Sequence, residues 1–223
     1  MRDIKEQGVK RHYFLGDVVG YGAHPQKCIQ ALRELECVSL LGNHDEAVCQ
    51  DDIDTDFNPL AREGVHFSRS ALEEEDREWI RTLPYKARTR GATFVHSSLY
   101  LPEEWLYVVG PEDAWVHFKR QRGRLCFIGH THVPCVWELN DGLSQYEPGE
   151  GEFELDQDSK YLVNVGSVGQ PRDRQIDATY VIWDNRKKSI RYRRVPYAVD
   201  QACQSIIDAG LPSMLGHRLF QGR

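Results

Sequence analysis

Asp17, Asn43, His96, His130 and His132 are the residues whose types and spacing suggest chemistry. Carboxylate, amide oxygen and imidazole are the donors that Mn, Fe, Zn and similar divalent ions take from proteins. Each cluster follows an apolar run: Asp17 after Tyr13-Phe14-Leu15-Gly16, Asn43 after Val38 to Gly42, His96 after Ala92 to Val95, His130 after Leu125 to Gly129. His130 and His132 are two apart, so an extended segment or a tight loop would point both the same way and Thr131 away. Gly16, Gly42 and Gly129 give the backbone freedom to turn sharply beside the donors. One histidine or one Gly-Asp pair carries little weight. Four strand-end clusters in one chain argue for a single convergent metal site. His12, His24, His66, His117 and His217 have no such setting and read as structural.

The elements that must position these donors follow from periodicity and turn residues. Strands are expected at 11–15, 38–41, 92–95 and 125–128, and helices at 25–35, 58–70, 72–83 and 111–121. From Val133 to Val195 the pattern changes to short strands and turns, at 134–138, 153–155, 161–165, 179–183 and 189–195, with a hairpin turn at Asp184-Asn185-Arg186-Lys187. The tail is helical at 200–209 and 213–220. Strand–helix alternation followed by strands predicts a layered α/β fold with helices outside paired sheets. Sites in such folds form beyond the carboxyl ends of strands, where Asp17, Asn43, His96 and His130 all lie. No linker or repeat divides the chain, so residues 1–223 are expected to form one domain.

The chain has 223 residues, 28 Lys+Arg and 34 Asp+Glu, for a net charge of −6. Forty per cent hydrophobic residues suffice for a large core,. The mild acidity argues against nucleic-acid binding through phosphate attraction, but admits a small anionic substrate held by metal. No apolar run approaches the ~20 residues that cross a bilayer, and the polar N-terminus lacks a secretory signal. The six cysteines form no C-x-x-C pair, which suits reduced packing residues in a cytoplasmic protein,. The oligomeric state is left open.

GDVVGYG (16–22), GNHDE (42–46), VHSS (95–98), GHTH (129–132) and NVGSVGQPR (164–172), in that order, resemble the calcineurin-like metallophosphoesterases. The likeness is greatest to small bacterial phosphodiesterases and the diadenosine tetraphosphatase-related branch, and the tail GLPSMLGHRLFQGR (210–223) also looks like that branch. The resemblance implies a four-layer α-β-β-α sandwich and metal-dependent hydrolysis of a phosphodiester or phosphomonoester, a nucleotide-like small molecule. It further implies two divalent ions drawn from Mn, Fe, Zn, Ni or Mg. Asp17 would bridge them, Asn43, His96 and His130 would complete one site, and His132 would serve the other. A metal-activated hydroxide would attack phosphorus. His44 matches the proposed general acid, with Asp45 a candidate to orient it.

The family opens on a strand bearing D-x-H, whose two residues bind one of the metals. No such motif precedes Gly16 here, so the first strand and most of the first helix are expected to be missing. A start set too late, a fragment, or a degenerate member would each explain this, in that order. The depleted site keeps Asp17 and His132, fewer than the three protein ligands usual for a catalytic metal. A catalytically impaired member acting as a binding protein is therefore the alternative. A Ser/Thr protein phosphatase is a weaker one, because the loop after Asp17 lacks the phosphate-gripping arginine of that branch. Arg172 or Arg174 could contact phosphate instead. Three decoys are set aside. Asp52, Asp54, Asp56 and Glu63 have calcium-loop spacing, but Phe57 stands where a glycine is required. Arg186 to Arg194 reads as the charged face of a hairpin. Trp105 and Tyr107 border the His96 segment and read mainly as packing residues.

Overall fold

Tyr13 and Phe14 point to opposite faces of a short strand, and that alternation shows how the layers are stacked. The computed structural model describes residues 2–50, 57–149 and 151–223. The chain runs through α1 (Arg2–Glu6), β1 (Tyr13–Phe14), α2 (Pro25–Glu34), β2 (Val38–Ser39), α3 (Asn43–Ala47), α4 (Pro59–Ala71) and α5 (Glu74–Arg81). It continues through β3 (Lys86–Arg88), β4 (Thr93–Val95), α6 (Pro111–Arg120), β5 (Leu125–Ile128), β6 (Cys135–Leu139), β7 (Leu143–Tyr146) and β8 (Gly151–Glu154). It ends with β9 (Lys160–Asn164), β10 (Ala178–Asp184), β11 (Ser189–Val195), α7 (Val199–Asp208), α8 (Ser213–His217) and a 3-10 turn, Arg218–Gln221.

The strands form a six-stranded sheet in the order β3-β4-β5-β9-β6-β7, a three-stranded sheet β10-β11-β8, and the parallel pair β1-β2. Along β5, Leu125 and Phe127 face the core between the sheets, where they meet Tyr13, Leu15, Val163 and Ile190. Cys126 and Ile128 face the opposite way, onto Ala114 and Phe118 of α6. Phe14 and Leu41 look outward into a cluster with Ile29, Val65 and Ile80 of α2, α4 and α5. The result is a helix, two β layers and further helices, the expected layered α/β sandwich. The tail helices α7 and α8 pack Ile206, Leu211 and Leu215 against Leu60 and Phe67 of α4 and against Tyr21.

Local signals account for most boundaries. Pro25, Pro59 and Pro111 each open a helix, where a missing N–H costs nothing,. The Asn58 side chain accepts from Ala61 N at 3.0 Å and caps α4,. Glu74, Glu75 and Asp76 occupy the first turn of α5, where the helix dipole favours them,. Two strands depart from expectation. β3 and β7 are edge strands of the largest sheet, and their mostly exposed residues lack an alternating apolar pattern. A third difference lies at Asn43, which begins α3 rather than simply ending β2.

The basic hairpin is an ion-paired face. Arg193 meets Asp3 at 2.6 Å, Arg194 pairs with Asp173, and Lys187 lies 3.6 Å from Glu152. Asp52, Asp54 and Asp56 lie outside the described residues. No helix among the described residues is long and apolar enough to cross a membrane.

Candidate metal centre

Asp17, His96 and His130 come from three separate strand-end loops, and one donor atom from each lies within 4.8 Å of the others. His96 Nε2 is 3.4 Å from Asp17 Oδ2 and 3.0 Å from His130 Nδ1. A cation about 2.1 Å from each donor would produce donor–donor edges of roughly 3.0–3.4 Å, depending on coordination number. The observed spacings therefore match the edges of a coordination shell. Asn43 Oδ1, next in the chain to Gly42, is buried without a hydrogen-bond partner among the described residues. An orphaned carbonyl oxygen is costly unless something else satisfies it, and a cation would do so.

The imidazoles are oriented by backbone carbonyls. His96 Nδ1 donates to Leu15 O at 2.7 Å, so in the neutral ring Nε2 carries the lone pair that faces Asp17,. His132 Nδ1 donates to Gln170 O, also at 2.7 Å. Thr131 turns the other way, as its position between the two histidines implied. Its hydroxyl accepts from Asn164 Nδ2 at 2.9 Å, and the same amide donates to Gly129 O at 2.8 Å. Asn164 thereby pins the turn that carries His130 and His132. Asp17, His130 and His132 adopt left-handed backbone conformations, with φ of 60°, 63° and 62°. Of the flanking glycines only Gly16 has positive φ. Gly42 serves by its lack of bulk: a Cβ there would overlap Asp17 Oδ1.

Asp45 is wholly buried, and its carboxylate accepts from the backbone N–H groups of Asp17 (2.7 Å), Val18 (2.8 Å) and Gly42 (3.0 Å). These bonds join the Gly16-Asp17 loop to the Gly42-Asn43 loop. Val19 N also donates to Asp45, at 3.4 Å, and none of these bonds goes to the His44 ring. The His44 ring lies between Tyr21, at 4.2 Å, and Phe57, at 4.9 Å. Gly20 leaves room for it, because a Cβ there would strike the imidazole.

Burial sets most of the protonation states. It pushes His44 down to about 4, and His130 and His132 down to about 3. Neutral imidazoles are the form that binds metal. Burial also opposes charge on Asp17 and His96, but each stabilises the other's ionised form. Asp17 is held well below the usual carboxylate range and His96 above its ordinary value. Asp45 is pushed upward by burial and by the adjacent Asp17 charge.

Arg172 reaches this centre from the Gln170 loop. Its Nη2 donates to the Tyr21 hydroxyl at 3.0 Å, its guanidinium lies 5.5 Å from the Tyr21 ring centroid, and its N–H donates to His132 O at 3.2 Å. Arg218, in the tail, was not among the residues the sequence singled out. Burial and the charge of Arg172 depress its pKa, which places the two guanidinium groups near each other. Gly222 at the tail's end accepts from Arg174 N at 2.9 Å and so braces the loop carrying Arg172. Tyr107 stacks on His130 with centroids 4.0 Å apart and is 52% exposed, so it borders the centre. Trp105 instead donates from Nε1 to Glu46 at 3.0 Å and packs near His96. His117 is structural, as expected: its Nδ1 accepts from Leu99 N at 3.2 Å.

Comparison with known proteins identifies the family and the fold. The family model of the calcineurin-like phosphoesterase superfamily domain matches residues 1–188. The uncharacterized protein MJ0912 of Methanocaldococcus jannaschii is 36% identical over 227 residues, covering all of this chain and 91% of the relative. A crystal structure of a metallophosphoesterase from Sphaerobacter thermophilus superposes with a TM-score of 0.86 at 31% identity, over 99% of this chain and 91% of that one. The hypothetical protein PH1004 of Pyrococcus horikoshii OT3 shares the fold, with a TM-score of 0.77 at 18% identity, over 100% and 90% of the two chains.

Proposed function

Because the chain belongs to the calcineurin-like phosphoesterase superfamily, we propose that it hydrolyses a small nucleotide-like phosphodiester or phosphomonoester at the centre built on Asp17. The family and its metallophosphoesterase neighbour support a phosphoric ester hydrolase that uses divalent metal. The finer reading assigns Asp17, Asn43, His96 and His130 to one cation, and Asp17 with His132 to a second, with manganese as the first metal to try. Its main support is the 3.0 Å and 3.4 Å donor spacing around His96 Nε2, with Nδ1 tied to Leu15. When bound, the cations supply an activated water and neutralise charge on the phosphoryl oxygens.

The chain's own groups do the rest. Arg172 is the proposed phosphate contact on the His132 side, and its Nε and Nη2 are held by Gln170 Oε1 at 3.1 and 2.8 Å. His44 is the proposed proton donor to the leaving oxygen. Its burial means that it holds a proton only beside an anion, and the bound phosphoryl group supplies one. Asp45 positions the Asp17 loop rather than taking part in proton transfer. The six free cysteines suit a reducing compartment, and we place the protein in the cytoplasm,.

The test is hydrolysis of bis-p-nitrophenyl phosphate and p-nitrophenyl phosphate by the Mn2+-loaded chain, with metal content measured in parallel. Turnover that chelation abolishes, and that H44N lowers by about 10²-fold or more with metal retained, is the expected result. Metal binding without hydrolysis of any phosphoester would overturn the hydrolase reading in favour of a binding protein. That second reading draws on the two donors, Asp17 and His132, left to the second cation.

A further inference from the structure

The ends of β4 and β5 opposite to His96 and His130 open onto a cavity of about 420 Å3. Four turns meet there: 88–91 before β4, 122–124 before β5, 155–157 before β9, and the β10–β11 hairpin turn. Arg88, Arg90, Arg122, Arg124 and Lys188 line it, and Asp156 is the one carboxylate among the lining residues. The chain as a whole carries a net charge of −6, so this is a local reversal of sign.

Some cations elsewhere are matched by carboxylates. Arg33, Arg77, Arg81, Arg193 and Arg194 all pair with carboxylates. None of the five cavity cations forms an ion pair with a described residue. Arg124 donates to Gln157 O and Lys188 to Asn185 Oδ1, so these two contacts fix their positions without neutralising them. Asp156 is engaged locally, accepting from Asp158 N at 2.8 Å. Gathering like charges without a counter-charge is unfavourable, and a bound anion removes the penalty.

We propose that this cavity is a second, non-catalytic binding site for a di- or triphosphate chain. Guanidinium forks match phosphate oxygens two by two. Cations on separate turns call for several anionic groups rather than one. The volume falls within the usual ~300–1,000 Å3 of small-molecule sites. One wall is the Trp183 ring, which lies so close over Gly91 that a Cβ would press into it. As a lining residue it gives a nucleobase an aromatic contact. Inorganic polyphosphate and a nucleoside polyphosphate share the recognised chemistry, and the aromatic wall would separate them.

The site is independent of the proposed reaction and is tested by binding. The full metal-loaded chain is titrated calorimetrically with methylenediphosphonate, whose P–C–P link resists hydrolysis, and with the β,γ-methylene analogue of ATP. A binding component that R90E/R122E weakens at least tenfold, and that D17N leaves within twofold, is expected. Both arginines are exposed turn residues, so the double variant leaves the core untouched. Tighter binding of the nucleotide analogue identifies a nucleoside polyphosphate, and equal binding identifies the phosphate chain alone. Binding that D17N abolishes, that R90E/R122E leaves unchanged, or that sulfate competes away as well as diphosphonate does, overturns the proposal.

Discussion

Asp45 shows how much of the proposed metal centre depends on a residue outside the candidate donor set. Its carboxylate holds two loops together through backbone N–H groups, including that of Asp17 itself. In D45N an NH2 group would face those donors, and buried N–H groups would lose their acceptor. A stability loss of about 1–3 kcal/mol is expected, with a lower Mn2+ content after loading and desalting. Thermal unfolding and elemental analysis of the same sample would measure both, and unchanged values for both would remove the positioning role. The donor types and their glycine neighbours were legible in the sequence, because strand-end clusters of His, Asp and Asn are rare and ordered. The groups that orient them were not. Leu15 and Gln170 act through main-chain carbonyls, which every residue possesses, and Arg218 sits in the tail without a local pattern. Arg172 was one of two candidates, and it donates to the Tyr21 hydroxyl.

At the scale of elements, strongly periodic helices and buried strands were readable, and polar edge strands were not. Lys86–Arg88 and Leu143–Tyr146 are strands because a neighbour offers hydrogen bonds, not because their own residues demand it,. Helix α6 illustrates a constraint of another kind. Its His117 is fully buried and accepts the Leu99 N–H, which fastens the segment beyond β4 to the helix. Burial pushes this imidazole down to about 3, against about 6.5 in the unfolded chain. Between those values the unfolded chain binds a proton that the folded chain does not. His117 therefore costs no stability above about pH 6.5 and increasingly more as pH falls towards 3, at up to ~1.4 kcal/mol per pH unit. Urea midpoints measured from pH 7 to 4.5 should fall less steeply in H117Q than in the wild type. His44, His130 and His132 act in the same direction and remain in both proteins, so the difference isolates His117. Equal slopes would show that His117 is accessible to protons in the folded state.

For the whole molecule, the sandwich divides its labour between the two ends of its strands. One end gathers imidazoles and carboxylates, and the other gathers cations with no ion pair among the described residues, while Gly222 near the tail's end braces the loop that carries Arg172. The alternation of strand and helix made this architecture predictable, but the turns that shape the second cavity carry no motif and emerge only when four of them meet. The left-handed backbone at Asp17, His130 and His132 belongs to the same global balance. A residue with a Cβ is strained there by about 1 kcal/mol or more relative to glycine. In metal-free protein H132G should therefore be more stable than H132A by about 1 kcal/mol, whereas at His96, which lacks positive φ, the glycine variant should be the weaker of the pair. Differential scanning calorimetry of the four variants would measure this, and the same order at both positions would refute it. Selection for thermal robustness alone would thus erode these three positions first. Their retention in a lineage would then be a record of use, written in the stability the protein forgoes.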